Sequence, residues 1–361
     1  MELRSVWLED FRSYERAEVG LAPGLTAVVG DNGTGKTNLL EAIGYLATLS
    51  SFRGVGREAL VRHGAAQAVV RGEAVRAGRR LSVETEITRS GRGRTRLNGQ
   101  PVRRSSDLDE SLVVSVFSPD DLELVKGGPA GRRRYLDDLL VALHPRQEKL
   151  RRDLDRVLRQ RASLLAQAQG RLSPALASTL DVWDAKLVEV GEALAGARAE
   201  LVAMLEPAVG KAYGHVAGEG ATVEVGYDAP WRAQGLAAAL AAARGDDLRR
   251  AVTTVGPHHD ELALSLGGLP ARTCASQGEQ RSLALALRLA AHAVVTDALG
   301  EAPVLLLDDV FSELDEARSR ALLAHLPPGQ AVLTTTGALP GVSAPDRVLR
   351  LVSGQLVDAG R

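Results

Sequence analysis

The chain has 361 residues, long enough for a large core and for two lobes. Its formal net charge is −1, with 45% hydrophobic and 25% charged residues, so no whole-chain basic excess announces a nucleic-acid partner and any such surface must be local. The single cysteine, Cys274, excludes an internal disulfide framework and a multi-cysteine zinc site.

No apolar run approaches the roughly 18 residues of a membrane span, and the start Met1-Glu2-Leu3-Arg4 lacks a secretory layout. A cytoplasmic protein with no membrane partner is expected. Leu3–Phe11 and Glu15–Leu21 read as short strands that lead into a third, Leu25–Val29. The turn Gly30-Asp31-Asn32-Gly33-Thr34-Gly35 follows, then Lys36, Thr37 and a helix over Asn38–Leu49 with Leu39, Leu40, Ile43 and Leu46 on one face.

A Gly-rich turn between strand and helix aims backbone N–H groups and the positive end of a helix dipole into one concavity. This is a P-loop. Gly30 to Asn38 would hold the phosphates of ATP, Lys36 would reach the β- and γ-phosphates as a catalytic cation, and the Thr37 hydroxyl would ligate Mg²⁺.

From Gln67 to Leu97 the period becomes two, with Leu81, Val83, Thr85 and Ile87 alternating with polar residues. That predicts an antiparallel sheet with one wet face, turned at Asn98-Gly99. Its arginines Arg89, Arg92, Arg94 and Arg96, with Arg103 and Arg104 beyond, occur without an intervening acid and are candidate contacts to DNA phosphates. A solvated charged hairpin is the alternative. Aromatic content of only 3% disfavours base stacking. Leu112–Phe117 is a further apolar strand, and Arg132, Arg133 and Arg134 form a second basic cluster, suited to a partner's nucleotide or to Asp137 and Asp138.

Two runs with apolar residues at intervals of three and four follow, Leu136 to Leu164 and Leu176 to Met204, separated at Gly170–Pro174. They predict antiparallel helices of roughly 45–50 Å each, zipped along one seam that Gln147 and Arg161 interrupt. A plain helical core element is the other reading. Strands are expected at Thr222–Gly226 and Glu261–Leu266, an Ala-rich helix at Ala233–Ala243, a helix at Gln277–Leu299, and strands at Val304–Leu307 and, closing the fold, Ala331–Thr335. The expected organisation is a discontinuous head, 1–118 and 246–361, with a helical lobe, 119–245, inserted. His258, His259 and Asp260 are weak metal candidates without a second cluster.

Val304–Leu307 ends in Asp308-Asp309, the pattern of a Walker B strand that delivers Asp308 to Mg²⁺ and Asp309 to the attacking water. Ser276-Gln277-Gly278, at the start of a helix, is similar to the signature motif of ABC ATPases, in which it faces the γ-phosphate held by a second subunit; a plain N-cap is the competing role. A transporter's nucleotide-binding subunit would carry the same motif, and a metabolic P-loop kinase would leave it without a task.

The stretch Pro119–Asp137, the run Leu306–Leu322, Asp10-Phe11-Arg12-Ser13-Tyr14 and Ser51-Phe52-Arg53 together resemble the bacterial RecF recombination mediators across nearly the whole chain. The resemblance implies an α/β, ABC-type P-loop head with a mixed parallel core sheet, an antiparallel β subdomain and a short helical arm. It also implies Arg12 at the nucleotide, an ATP-dependent homodimer, weak DNA-dependent ATP hydrolysis, and binding to double-stranded or gapped DNA, with single strands also possible. RecR and RecO are the implied partners, in recombinase loading, replication-fork maintenance and SOS induction. Three positions depart from what relatives carry: His259 where Arg is expected, Asp309 where ABC transporters have Glu, and Thr334-Thr335-Thr336 where they have His.

Overall fold

The computed structural model describes the chain except residues 92, 103–107, 109–110, 219–220, 313, 338, 341–343, 353–354 and 359–361. Two compact units form: Met1–Leu122 with Lys211–Gly220 and Ser276–Arg361, and Glu123–Gly210 with Ala221–Ala275. The first has two six-stranded sheets. One is antiparallel, in the order Tyr14–Gly20, Glu2–Phe11, Gln67–Arg76, Arg79–Thr88, Arg94–Leu97, Gln100–Pro101. The other runs Gln355–Asp358, Arg347–Val352, Leu25–Val29, Ala331–Thr335, Val304–Leu307, Val114–Phe117, and is parallel but for its first edge strand.

The helix Lys36–Thr48 explains why both sheets are needed. Its Leu39, Leu40, Ile43 and Leu46 share one core with Leu3, Val6, Leu8 and Val70 of the antiparallel sheet and with Val28, Leu306 and Val332 of the parallel one. Close approach requires Gly72, where a Cβ would stand 2.8 Å from Leu46 Cδ1. The opposite face of the parallel sheet buries Leu305, Leu307 and Leu333 against Leu285 and Leu289 of the helix Gln277–Leu299. Burial on both faces is why Val304–Leu307 reads as an unbroken apolar run. Gln330 is 2% exposed and ties the two sheets together: its amide accepts from Leu3 N (2.7 Å) and donates to Leu3 O (2.7 Å) and Ala22 O (2.8 Å). By length and apolar composition Gln277–Leu299 would suit a membrane span, but its Leu283, Leu285, Leu287 and Leu289 are buried.

The chain does not close at Ala331–Thr335. Arg347–Val352 adds a parallel strand beside Leu25–Val29, and Gln355–Asp358 folds back on it. These two strands are short and partly polar, so no periodicity announced them.

In the second unit the first expected helix is two helices, Pro129–Leu143 and Gln147–Ala168, interrupted at His144-Pro145. The second, Pro174–Ala217, runs through Pro207 without ending, and its residues from Lys211 on belong to the first unit. Leu180, Leu187, Val190, Leu194 and Leu201 are buried as the seam requires, but Met204 is half exposed while Val202 and Leu205 are buried. A straight helix repeats every 3.6 residues, so a seam drawn at 3.5 drifts round it. This unit also reaches further than 119–245. Glu261–Leu266 pairs with Val223–Asp228 and Leu269–Pro270, which places residues 246–275 here instead of in the head.

Arg161, expected as a flaw in the seam, is fully buried and paired with two acids. Its Nε donates to Asp184 Oδ1 (2.7 Å), its Nη2 to Asp247 Oδ2 (3.2 Å), and its Nη1 also reaches the Thr253 hydroxyl. Arg198 forks onto Asp137 (both 2.8 Å) and donates to Pro257 O (2.7 Å).

Candidate nucleotide site

Leu25–Val29 lies between Ala331–Thr335 and Arg347–Val352, so the turn that follows it emerges at the carboxyl end of the parallel strands. Ligands of open α/β sheets bind at such ends. Gly30 N donates to Thr335 O (3.2 Å), and a Cβ on Gly30 would press within 2.9 Å of Leu351 O. Gly35 takes φ +111° and accepts from the Tyr14 hydroxyl through its carbonyl (2.9 Å). Lys36 is 6% exposed and folds its ammonium over its own loop, donating to Gly30 O (2.6 Å) and Asp31 O (2.8 Å). Those two carbonyls satisfy a charge that phosphate oxygens could take over. Asp31, Asn32 and Gly33 are exposed at the tip, Thr34 donates to Asp31 O, and Asn38 donates to Ser13 Oγ (2.9 Å).

The parallel strands bring Asp308 to this turn. Its Oδ1 accepts from the Thr37 hydroxyl (2.9 Å) and from the Thr334 hydroxyl (2.8 Å). Thr334 Oγ1 in turn accepts from Asp309 N (2.8 Å), which fixes Asp309 at a left-handed φ of 47°. Asp308 is 4% exposed, and burial pushes its carboxyl above the ordinary value; the two hydroxyls act against that and Asp309 adds to it. The carboxylate and the Thr37 hydroxyl are hard oxygen donors, the donor set that Mg²⁺ takes.

Thr334 was expected where a histidine would face the γ-phosphate. Instead it is wholly buried and orients both acids of the Walker B pair, while Thr335 is buried beside it and Thr336 is exposed. Only a hydroxyl inside an apolar strand could have hinted at this.

Arg12, expected at the nucleotide, is paired with a buried carboxylate. Its Nε and Nη2 fork onto Glu41 (both 2.8 Å), a carboxylate with no exposed surface that also accepts from Ser51 Oγ (2.5 Å), with Arg53 at 4.0 Å. Glu41 thus gathers two of the segments that carried the family resemblance, and no motif singled it out. Beside this cluster a cleft of about 460 Å³ is lined by Arg12, Ser13, Asn38, Glu58, His63 and Arg89.

Ser276 starts its helix with a reciprocal capping box. Glu279 N donates to Ser276 Oγ (3.3 Å), and Ser276 N donates to Glu279 Oε2 (2.7 Å). Ser276 and Gln277 are exposed, and among the described residues neither hydrogen-bonds to the P-loop. The Cβ position of Gly278 lies 2.6 Å from Arg318 Nη1, and that guanidinium is held by Asp315 Oδ2 at 3.0 Å. So the signature glycine makes room for an arginine from the segment that follows the Walker B strand.

Tertiary pairing revises the basic hairpin. Glu86 lies opposite Arg94 and Glu84 opposite Arg96, with Arg96 Nη1 at 3.4 Å from Glu84 Oε1. Arg89 spends its guanidinium on the carbonyls of Ala65 and Arg62 (both 2.9 Å). The run is free of acids only along the chain; across the sheet it is compensated. Arg92, Arg103 and Arg104 lie outside the described residues.

Arg132 is buried, forked onto Glu261 (2.6 and 2.8 Å), and Arg133 donates to Asp260 O (2.8 Å); Arg134 is exposed. Asp260 accepts from Trp231 Nε1 (2.7 Å) and the Tyr227 hydroxyl, which gives it a structural task. His258 and His259 both turn Nε2 to Thr253 O, and burial brings His258 down to about 4, so it stays neutral.

A family model described as RecF/RecN/SMC N terminal domain matches residues 2–332. The DNA replication and repair protein RecF of Kineococcus radiotolerans is 45% identical over 95% of both chains, and that of Streptomyces avermitilis 45% identical over 96% of this chain and 97% of its own. The chain belongs to the RecF family. The solved ATP-bound form of the recombination mediator RecF in the RecFOR pathway matches it with a TM-score of 0.89, 27% identity and coverage of 99% and 98%. The Smc head of Pyrococcus furiosus, at 17% identity and a TM-score of 0.61, shares the fold. The chain is therefore a DNA replication and repair protein of the RecF type, built on the ABC-type head of the SMC proteins. In this RecF chain His259 is exposed and lies against His258, at 4.2 Å between ring centroids.

Proposed function

We propose that the chain binds ATP with Mg²⁺ and that the bound triphosphate joins two copies, each offering Ser276, Gln277 and Gly278 to the nucleotide on the other. Lys36 and the loop amides hold the phosphates, Thr37 and Asp308 hold the metal, and Asp309 addresses the attacking water. The observation that carries this reading is the exposure of Ser276 and Gln277, neither of which hydrogen-bonds to its own P-loop among the described residues. The helix start it occupies is suited to an anion. The dimer would close on double-stranded or gapped DNA in the cytoplasm and cooperate with RecR and RecO in recombinase loading; the naming of solved relatives as recombination mediators of the RecFOR pathway supports this reading.

Sizing in solution tests the composite site. The native chain should shift to a dimer when ATP is added. Ser276→Arg should stay monomeric while still binding ATP, because its side chain fills the space a facing γ-phosphate needs. A variant that dimerises normally with ATP refutes the shared site.

Hydrolysis is read as a timer for release. Asp309 is one methylene shorter than glutamate, and Thr334 has its hydroxyl engaged by Asp308 and Asp309 N, so neither is placed to activate water strongly. Steady-state turnover with DNA is expected below about 10 s⁻¹, the median for enzymes. Phosphate release measured above that rate would mark a motor instead.

A further inference from the structure

We propose that the solvent face of the helix Gln147–Ala168 is a contact surface for the phosphate backbone of duplex DNA. This rests on the DNA-binding reading above and gives it a location. Lys149, Arg152, Arg156 and Arg159 are all exposed and follow one another at steps of three, four and three residues. That spacing keeps them on one helix face. The opposite face is packed through Leu154, Val157, Arg161, Leu165 and Ala168.

The chain's 44 basic and 45 acidic residues nearly cancel, and several surface arginines are answered locally. Arg94 and Arg96 face Glu86 and Glu84 across the sheet, and Arg89 is held by carbonyls. On the helix, Arg156 and Arg159 form no ion pair or hydrogen bond among the described residues. Arg152 reaches only Glu148, 3.8 Å from its Oε1, and Arg151 takes that same carboxylate at 2.9 Å. Glu189 lies within the field of Lys149. Asp155 is the exposed acid beside the row, and Asp153 is half-buried. The row keeps a local positive excess that a neutral chain has not cancelled.

Geometry selects the partner. With a rise of about 1.5 Å per residue the four cations spread over about 15 Å, roughly 5 Å apart. A duplex strand offers a phosphate about every 3.4 Å, so a row of this length runs beside about four or five phosphates. Arginine supplies the fork that suits a phosphate oxygen pair. Gln160, Ser163 and Gln167 continue the exposed face, and it carries no aromatic side chain. Backbone contacts are therefore provided for, and base stacking is not.

The test uses the full chain with Arg152, Arg156 and Arg159 all changed to Gln, and as comparator the pair Arg94→Gln and Arg96→Gln. Binding to a duplex of about 30 base pairs is measured with ATP between about 50 and 200 mM salt. The helix variant should lose at least tenfold in affinity, and its plot of log affinity against log salt should be shallower by about 2.7, at about 0.9 per lost contact. Its ATP-dependent sizing and melting should match the native chain. The hairpin pair should keep the native slope. A helix variant with native affinity and slope overturns the proposal and leaves the face to an acidic protein. Loss of slope in the hairpin pair alone moves the DNA to the sheet. A native chain that binds no duplex refutes the DNA reading itself.

Discussion

An Asp308→Asn variant is expected to melt higher than the native chain in the absence of nucleotide, and to hydrolyse ATP at least a hundredfold more slowly. The two effects have one cause. Asp308 is buried at the end of an apolar strand, and burial raises its pKa despite the hydroxyls of Thr37 and Thr334. The folded chain therefore holds a proton at Asp308 more tightly than the unfolded chain does. A group raised in this way contributes stability that is fully present below its unfolded value and is lost as pH rises through its folded value. Burial thus works against the charged carboxylate in the folded chain, and asparagine removes that opposition.

The expected gain is about 1 kcal/mol, small at acid pH and larger at pH 7. Hydrolysis moves the other way, because the lost charge is the one that would hold Mg²⁺ against the phosphates, and removing one such electrostatic contact costs about 10²–10³ in rate. Thermal melting at pH 4 and pH 7, with phosphate release measured alongside, checks both. A native chain that melts higher than the variant at pH 7 would show that the two hydroxyls outweigh burial.

Arg161→Ala should destabilise the chain by about 3–5 kcal/mol, the range for removing one partner of a buried ion pair. Asp247 has no exposed surface and would be left without its cation, although Thr254 still donates to it through its amide (2.8 Å) and hydroxyl (2.7 Å), while Asp184 keeps Arg244 at 3.5 Å. Since whole domains are stable by only about 5–15 kcal/mol, the second unit should unfold ahead of the head. Denaturant unfolding followed by the fluorescence of Trp183 and Trp231, both in that unit, reads the effect. A loss below about 1 kcal/mol would mean that the site is wetter than its burial implies. Arg159→Ala, two positions away and exposed, is the matched control and should stay within about 0.5 kcal/mol.

What the residues determined unaided is what depends on neighbours along the chain. The P-loop, the helix Gln277–Leu299 and the strands Leu25–Val29, Val304–Leu307 and Ala331–Thr335 fall where turn chemistry and apolar period put them. Each is specified by backbone conformation and burial pattern within a dozen or so residues. The Asn98-Gly99 hairpin, with both residues at positive φ, is legible for the same reason.

Tertiary structure alone decided which charges meet. Arg161 read as a defect because its partners Asp184, Asp247 and Thr253 lie far along the chain. Thr334 read as a weak substitute for histidine until the parallel strands set it beside Asp308. The basic hairpin read as a patch until strand pairing supplied Glu84 and Glu86, while the basic face of the helix Gln147–Ala168 stayed inconspicuous until the opposite face was buried. Local pattern specifies elements because steric and solvation preferences act over a few residues. Electrostatic partners are chosen by packing, which brings together side chains that no spacing rule connects.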